Sequence, residues 1–305
     1  MMPQRVCAVI VTYYPDGSRL HNLLVALEEQ VDQICIVNNS KKSLPLDQAK
    51  QIAIPITVLD NVDNVGIGRA HNQGIDVAVA QGCSHVLLLD QDSLPGSDMV
   101  SCLIQCECKA LSQGRRVGAV GPQVVDAESG SPEPLFRVGR WWVSRLRCEE
   151  KRCCEVAYLI ASGTLLRTEI FPLVGHFAEE LFIDLVDVEW GFRAHQKGFS
   201  LLVCCNAQLQ HTIGMKESFL AGAAVTRHAP VRLYYQFRNY FFLFRKYFSS
   251  FSGWFLYHAT RRLLPRFFLF LLIPPRRQHA AMMLRGIWDG LSGNAPPPPN
   301  TSIHE

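Results

Sequence analysis

The sequence lacks the features that define several common protein classes. No uncharged apolar run reaches the ~20 residues that a membrane-spanning helix needs, and the longest, residues 267–275, lies between two arginines. Residues 1–5 lead directly into an apolar run without the charged region and cleavage site of an export signal, so we expect a cytoplasmic protein. The net charge of only +3 gives no reason to expect nucleic acid or another polyanion as a partner.

The eleven cysteines include no CxxC pair, the spacing typical of many zinc sites. Six of them nevertheless fall into two clusters along the chain: Cys102, Cys106, Cys108, Cys148, Cys153 and Cys154. Because cytoplasmic thiols are normally kept reduced, we expect free and mostly buried cysteines here rather than disulfides or metal ligands.

Charge is unevenly distributed along the 305 residues. Between Arg227 and Asp289 there are eleven basic residues and one acid, whereas the rest of the chain holds 19 basic and 26 acidic residues. A chain of this length that is 48% hydrophobic can bury a large core. We predict a main domain at residues 1–240, a basic, aromatic helical tail at 241–292 and a disordered Pro-rich end at 293–305.

The first 95 residues alternate between short apolar runs and helix-compatible segments. The apolar runs suit strands covered on both faces, and they are residues 6–12, 33–37, 56–59 and 85–89. Helices are predicted after a cap at Asp16 or Ser18, and at 42–52 and 67–80. This alternation predicts an α/β fold with a mostly parallel sheet and helices on both faces. Beyond it we predict helices at 98–112 and 187–197 and strands at 156–161 and 199–204.

In an open parallel sheet, ligands bind beyond the carboxyl ends of the strands. Asp90-Gln91-Asp92 follows the fourth apolar run, and two carboxylates one residue apart can hold one divalent cation. Mg²⁺ and Mn²⁺ prefer such oxygen ligands and keep positions open for phosphate oxygens. A solvated turn is the alternative, and the position at a strand end favours the metal site.

A glycine-rich segment, Asn64-Val-Gly-Ile-Gly-Arg-Ala-His-Asn-Gln-Gly74, opens the helix predicted at 67–80. Free backbone N–H groups at such a helix start can bind an anion. Position 71 is His, which excludes a dinucleotide fingerprint, and no Gly-Lys-Ser/Thr follows, which excludes a P-loop. The alternative is close packing of the helix on the sheet at Gly66 and Gly68.

The segment 181–190, LFIDLVDVEW, places three acids among apolar residues. Carboxylates in such surroundings are costly unless they have partners or serve chemistry, so one of them can be a general base. For Glu189 the alternative is an ion pair with Arg193 four residues on, and for Asp184 it is a helix cap.

Two further candidates follow later in the chain. His211 comes just after an apolar run and would be a metal ligand only if the fold brings it near Asp90 and Asp92. The basic, aromatic segment from Arg232 to Asn239 could hold a diphosphate or a nucleotide.

Taken in order, these motifs resemble those of glycosyltransferase family 2. The residues that carry the resemblance are VIVTYY, IVNNS, NVGIGRAHNQG, LLLDQDS, FIDLVDVEW-x2-R, QHTIG and GIWDGL. Within the family they are most similar to bacterial rhamnosyltransferases that use dTDP-L-rhamnose. The resemblance implies a GT-A fold, a nucleotide-sugar donor, a bound Mg²⁺ or Mn²⁺ and inversion at the anomeric carbon.

The resemblance also implies roles for individual residues. The substrate-binding set is Thr12, Tyr14, Asn38, Asp60, Asn64, Gly68, Asn72 and Arg232, of which Arg232 would meet the diphosphate. Asn38 stands where many relatives have Asp. Asp90, Asp92 and His211 would hold the metal. Asp187 matches the general base, although Val186 replaces the acid that normally precedes it, and Asp184 is the second candidate.

The expected activity is therefore transfer of L-rhamnose from dTDP-L-rhamnose to a glycan or glycolipid acceptor in cell-surface polysaccharide assembly. The alternatives are a family 2 enzyme for another nucleotide sugar and a non-catalytic nucleotide-sugar binder. For the basic tail we expect peripheral attachment to the inner face of the cell membrane, with a helix pair packed on the main domain as the alternative.

Overall fold

The computed structural model describes residues 4–45, 52–148, 153–211, 217–219, 223–225 and 230–293. The chain forms two compact units. The first comprises Met1–Arg137, Arg145–Glu179 and Val186–Thr212, and the second comprises Val138–Ser144, Glu180–Leu185 and Ile213–Glu305. Residue 240, the predicted end of the main domain, lies inside a helix of the second unit.

The first unit is built on a nine-stranded sheet. Its strands are β1 (Val6–Thr12), β2 (Gln33–Asn38), β3 (Ile56–Asp60), β4 (His85–Asp90), β5 (Ser93–Pro95), β6 (Val117–Asp126), β9 (Cys153–Val156), β10 (Leu165–Arg167) and β11 (Ser200–His211). Their order is β3-β2-β1-β4-β10-β6-β11-β5, with β9 paired to β11. The pairs among β1 to β4 and the pair β6–β11 are parallel, and the pairs made by β5, β9 and β10 are antiparallel.

Helices cover both faces of this sheet, and they are α1 (Gly17–Leu27), α2 (Ile67–Ala80), α3 (Met99–Ser112), α4 (Phe171–Val174) and α5 (Val186–Gln196). Ala8 and Ile10 of β1 belong to one core with the leucine stripe of α1 and with α3. On the opposite face Gly74 of α2 approaches Val9 so closely that a Cβ would overlap its side chain. Asp16 caps α1 by accepting a hydrogen bond from the Arg19 amide. The predicted α/β fold with helices on both faces is confirmed.

Two secondary-structure predictions fail in part. Residues 42–45 and 52 are not helical, and 46–51 lie outside the described residues. The strand predicted at 156–161 ends at Val156, because β9 pairs with β11 only over residues 153–156 and the chain then turns toward β10. The predicted disorder of the Pro-rich end falls outside the described residues.

The expectation of free thiols also fails for four cysteines. Disulfides join Cys106 to Cys153 and Cys148 to Cys205. The pairing of β9 with β11 sets Cys153 opposite Cys204, so tertiary structure gathers cysteines that sequence spacing leaves apart. Their sulfurs form two groups within 4.8 Å, Cys106–Cys153–Cys204 and Cys148–Cys154–Cys205, and each group already contains a disulfide.

The second unit is mainly helical. Helix α6 (Pro230–His258), broken at Phe251, continues through a π-helical turn (Ala259–Leu263) into α7 (Leu264–Leu272), and α8 (Arg276–Ser292) follows. Gly286 and Gly290 bring α8 against the α6 backbone, and the Tyr234 hydroxyl donates a hydrogen bond to Asp289 at 2.9 Å. None of the described helices is both long enough and apolar enough to cross a membrane. The short strands β7 (Leu135–Val138) and β8 (Val143–Leu146) pair together, as do β12 (Glu217–Phe219) and β13 (Ala223–Val225).

Candidate active site

Parallel pairing places the predicted donor-site residues side by side at one edge of the sheet. Thr12 lies opposite Asn38, and Asn38 lies opposite Asp60. Val11, one residue before Thr12, lies opposite Asp90. The carboxyl ends of β1 to β4 therefore present a continuous row of polar side chains, which is the position where open sheets bind ligands.

Asn38 is anchored to its neighbours in this row. Its side-chain amide donates to Asp60 Oδ1 at 2.7 Å and to the Lys42 carbonyl at 2.9 Å, and its Oδ1 accepts from the Ser40 hydroxyl at 2.6 Å. An aspartate here would set a second negative charge against Asp60, so the amide suits a site that already contains that carboxylate.

The loop after β1 is held by the middle residue of the Asp-Gln-Asp motif. Gln91 accepts a hydrogen bond from the Tyr13 amide at 2.7 Å and donates one to the Tyr13 carbonyl at 3.2 Å. Tyr14 then adopts a left-handed backbone with φ of 48°, and the Lys42 ammonium lies 5.7 Å from the centre of its ring. The sequence gives no signal for this role of Gln91, because its partner is 78 residues away.

An amide network that the sequence analysis missed shapes the turn before α2. Asn39 accepts from the Val65 amide at 3.0 Å and donates to Asn64 Oδ1 at 2.9 Å, and that oxygen also accepts from the Gly66 amide. Gly66, with φ of 85°, precedes the first helical residue. The network fixes the glycine-rich turn at the same edge of the sheet.

The next residues of α2 contact the segment before α5. Gly68 has the Ala178 carbonyl 3.1 Å from where a Cβ would stand, so close packing is one function of this glycine. Asn72 is buried and forms two 3.0 Å hydrogen bonds with the backbone of Phe177. Burial lowers the pKa of His71 to about 4, so its ring is neutral at physiological pH.

The fold brings Asp90, Asp92 and His211 close together. The antiparallel pairing of β5 with β11 sets His211 opposite Ser93, one residue after Asp92. His211 Nε2 lies 3.8 Å from Asp90 Oδ2, and its Nδ1 lies 3.6 Å from Asp92 Oδ1. Burial raises the pKa of Asp90, His211 opposes that rise and Asp92 adds to it. Two neighbouring carboxylates and an imidazole form a donor set that suits Mg²⁺ or Mn²⁺. In this structure Asp90 approaches Nε2 of the imidazole and Asp92 approaches Nδ1.

A buried serine pair supports this group and was not found from the sequence. The Ser162 hydroxyl accepts from the Asp90 amide at 3.1 Å and lies 2.6 Å from the Ser93 hydroxyl. The Ser93 hydroxyl in turn lies 3.2 Å from His211 Nδ1. This chain of hydrogen bonds orients the imidazole and the end of β4.

Asp187, in the first turn of α5, lines a small and mostly apolar pocket. Its Oδ1 accepts from the Val188 amide at 2.8 Å. Ala161 and Thr164 line the same pocket, and between them in the chain lies Ser162, whose hydroxyl contacts the Asp90 amide and the Ser93 hydroxyl. The segment 161–164 thus borders the Asp187 pocket and also hydrogen-bonds to residues at the candidate metal site.

Glu189, another acid of the segment 181–190, forms the ion pair with Arg193 that was the alternative to a catalytic role. It is buried, and Arg193 binds it with contacts of 2.7 to 3.2 Å while also donating to the carbonyls of Val174 and His176.

In the second unit, Asp184 and Arg232 bind one another. The guanidinium donates to both carboxylate oxygens at 3.2 Å. The backbone around Asp184 is strained, because Phe182, Asp184 and Leu185 all have φ near +62°. Fully buried Asn239 stabilises it by donating to the carbonyls of Leu181, Ile183 and Asp184. Since α5 begins at Val186, Asp184 does not cap that helix.

Comparison with known proteins bears on this geometry. The model of the family "Glycosyl transferase family 2" matches residues 8–171, more than half of the chain. The chain is 30% identical over 250 residues, 80% of its length and 81% of the relative's, to "dTDP-rhamnosyl transferase RfbF" of Shigella flexneri. The protein belongs to glycosyltransferase family 2. This confirms the family that the ordered motifs indicated, and the protein is a glycosyltransferase.

Other relatives agree with this assignment. An "N-acetylglucosaminyl-diphospho-decaprenol L-rhamnosyltransferase" of Mycobacterium tuberculosis is 28% identical over 235 residues, 67% of this chain and 74% of that one. A structure of GalNAc-T7 with UDP, GalNAc and Mn²⁺ matches 95% of this chain and 56% of its own, with a TM-score of 0.63 and 14% identity. S. aureus TarS 1–349 matches over 94% and 81%, with a TM-score of 0.59 and 13% identity. These structures share the GT-A fold, which confirms the expected fold class.

Proposed function

We propose that this family 2 glycosyltransferase moves L-rhamnose from dTDP-L-rhamnose to a glycan or lipid-linked acceptor during assembly of a cell-surface polysaccharide. The names of the Shigella flexneri and Mycobacterium tuberculosis relatives support the sugar and the type of acceptor. One observation carries the proposal: the segment 161–164 links the two candidate groups within the first unit. Ala161 and Thr164 line the same pocket as Asp187, and the Ser162 hydroxyl accepts a hydrogen bond from the Asp90 amide.

Asp90, Asp92 and His211 would hold the metal. Their fit rests on the geometry, since the imidazole of His211 lies 3.8 Å from Asp90 Oδ2 and 3.6 Å from Asp92 Oδ1, and two carboxylates beside one imidazole suit a divalent cation. A bound Mg²⁺ or Mn²⁺ supplies positive charge against the negative charge that develops on the departing diphosphate. Ser162 and Ser93 hold the end of β4 and the imidazole in position for that ligand.

Asp187 takes the proton from the attacking acceptor hydroxyl. Direct displacement inverts the anomeric carbon, so a β-linked donor gives an α-L-rhamnoside, and the base must face the sugar from the side opposite the diphosphate. Most of the side chains that line the pocket beside Asp187 are apolar, and Asp187 itself is half-buried. Asp184 remains the second candidate, but both of its oxygens are bound by Arg232.

The donor nucleoside lies along the row formed by Thr12, Tyr14, Asn38 and Asp60, bordered by the turn at Asn64 and Gly68. The exposed Tyr14 ring suits stacking on a base. Asn72 stays a predicted donor-binding residue, and in this structure its side-chain amide hydrogen-bonds to the Phe177 backbone. Arg232 stays the predicted contact to the diphosphate.

The tail attaches the enzyme to the membrane surface. Leu264, Phe268 and Leu272 form a stripe along α7 with 49%, 62% and 68% of each residue exposed, and arginines flank the helix at positions 261, 276 and 277. An apolar stripe with basic flanks suits the interface of an anionic leaflet. Sedimentation with anionic vesicles tests this, and a protein that stays entirely in the supernatant at low salt contradicts it.

A panel of nucleotide sugars, assayed for hydrolysis without any acceptor, tests the donor. We expect dTDP-L-rhamnose to be hydrolysed faster than dTDP-glucose or UDP-N-acetylglucosamine. Faster hydrolysis of a UDP-sugar would indicate a family 2 enzyme with another donor. Binding of donors with no turnover, even after acceptor extracts are added, would indicate a non-catalytic binder.

A further inference from the structure

The side chain of Gln91 connects the end of β4 to the loop after β1. These parallel strands are neighbours, and their register ends where Val11 lies opposite Asp90. One residue later, the Gln91 carboxamide continues the contact by binding both polar groups of the Tyr13 backbone. Its Oε1 accepts from the Tyr13 amide at 2.7 Å, and its Nε2 donates to the Tyr13 carbonyl at 3.2 Å. One side chain thus joins two loops at the carboxyl edge of the sheet.

These two hydrogen bonds orient the backbone that leads into Tyr14. The Tyr13 carbonyl belongs to the peptide unit that joins the two tyrosines, so holding this carbonyl holds the plane from which Tyr14 turns. Tyr14 has φ of 48°, a left-handed conformation that is uncommon for residues other than glycine and persists where the surroundings hold it. The two tyrosine rings pack edge to face with their centres 4.7 Å apart. Gln91 therefore supports the position of the exposed Tyr14 ring.

The backbone of the same residue joins the two carboxylates of the candidate metal site. His211 lies 3.8 Å from Asp90 Oδ2 and 3.6 Å from Asp92 Oδ1, and Gln91 is half-buried between these aspartates in the chain. A cation bound by both carboxylates would hold residues 90–92 in one arrangement. The Gln91 side chain would pass that constraint to the Tyr13 peptide, which belongs to the same unit.

We propose that Gln91 couples the two halves of the donor site, so that a cation at Asp90 and Asp92 strengthens binding of the nucleoside beside Tyr14. Gln91 is a positioning residue, because it acts through the Tyr13 peptide and not on the reacting atoms. An amide suits this task since it both donates and accepts, whereas a carboxylate only accepts and an ammonium only donates. The coupling must be reciprocal, so the nucleoside also strengthens cation binding. The identity of both ligands rests on the proposed function.

Thymidine is the probe that isolates this coupling, because it lacks the diphosphate that a cation attracts directly. Its affinity for the full chain is measured by calorimetric titration in EDTA and again in saturating Mg²⁺. Mg²⁺ should strengthen thymidine binding about fivefold or more in the wild type. Gln91→Met has a similar length and forms neither hydrogen bond, so it should abolish the difference between the two conditions. Gln91→Glu keeps only the acceptor and should retain part of it.

The matched control is Gln123→Met. This variant removes another buried carboxamide of the first unit, which donates to the carbonyls of Val124 and Glu133, and it should keep the full effect of Mg²⁺. A thymidine affinity that Mg²⁺ leaves unchanged in the wild type overturns the proposal without any variant. Coupling that survives in Gln91→Met, or that is lost equally in Gln123→Met, also overturns it.

Two further results distinguish this proposal from the proposed function. If the wild type hydrolyses dTDP-L-rhamnose but Mg²⁺ does not change its thymidine affinity, the proposed function stands and the coupling is wrong. If uridine binds in place of thymidine, and Mg²⁺ strengthens its binding only when Gln91 is present, the donor assignment is wrong and the coupling stands.

Discussion

The aspartates in two regions of this protein have different charged neighbours. At the strand ends, Asp90 and Asp92 face one another across His211, and no described lysine or arginine pairs with either. In the segment 180–185, Asp184 has an arginine on both oxygens and a backbone locked by Asn239. Asp187, three positions after Asp184, lines a pocket of the first unit.

The difference shows which carboxylates can exchange partners during a reaction. A carboxylate held by a built-in guanidinium has its charge balanced permanently, so it stabilises the fold rather than accepting a proton or cation. Clustered carboxylates without such a partner repel one another, and an external cation relieves that repulsion. Burial and charge, more than sequence position, therefore distinguish the candidate catalytic acids from the structural ones.

Metal removal should give the largest effect. EDTA should abolish sugar transfer, and Mg²⁺ or Mn²⁺ should restore it, because the leaving diphosphate loses its counter-charge without a cation. Asp92→Ala should abolish transfer even at high metal concentration, with thermal unfolding as the check on folding. Asp184→Asn is the control and should keep the metal requirement. Full turnover in EDTA would mean that the reaction needs no cation at Asp90 and Asp92, and the two regions would then not differ in this function.

The two rival bases provide the next test. Asp187→Asn should lower kcat by about 10²- to 10⁴-fold, the usual contribution of a general base, with donor KM nearly unchanged. Asp184→Asn should lower kcat less than about tenfold and should lower the unfolding temperature, because Arg232 loses its partner. Steady-state kinetics and thermal unfolding of both variants decide the matter, and the reverse ranking would make Asp184 the base.

The sequence was sufficient to predict the row of polar residues at the strand ends. Apolar runs followed by polar clusters indicate parallel strands, and parallel register then sets Thr12, Asn38 and Asp60 side by side. His211 could be predicted only through the family resemblance, because its approach to Asp90 depends on the pairing of β5 with β11.

Contacts that join distant segments could not be predicted from one sequence. Ser162 acts on Asp90 from 72 positions away, and the Asp184–Arg232 pair depends on how α6 packs within its unit. The disulfides show the same limit. The absence of a CxxC pair and the assumption of a reducing compartment both indicated free thiols. Cys106 and Cys153 meet because α3 and β9 both pack against β11, which the sequence does not reveal.

Ser162→Ala should change activity least among these variants. It tests whether the Asp90 group depends on the hydrogen bonds that support it. The hydroxyl supports Asp90 through its amide and His211 through Ser93, without being a proposed metal ligand. Loss of such a supporting hydrogen bond typically weakens metal affinity by about tenfold or more, so the Mn²⁺ concentration needed for half-maximal activity should rise by roughly that factor. Saturating metal should restore most of kcat. Ser84→Ala is the matched control, because that hydroxyl contacts Arg5 at the opposite end of β4. An equal change in metal dependence for both variants would mean that Ser162 stabilises the strand and does not orient the site.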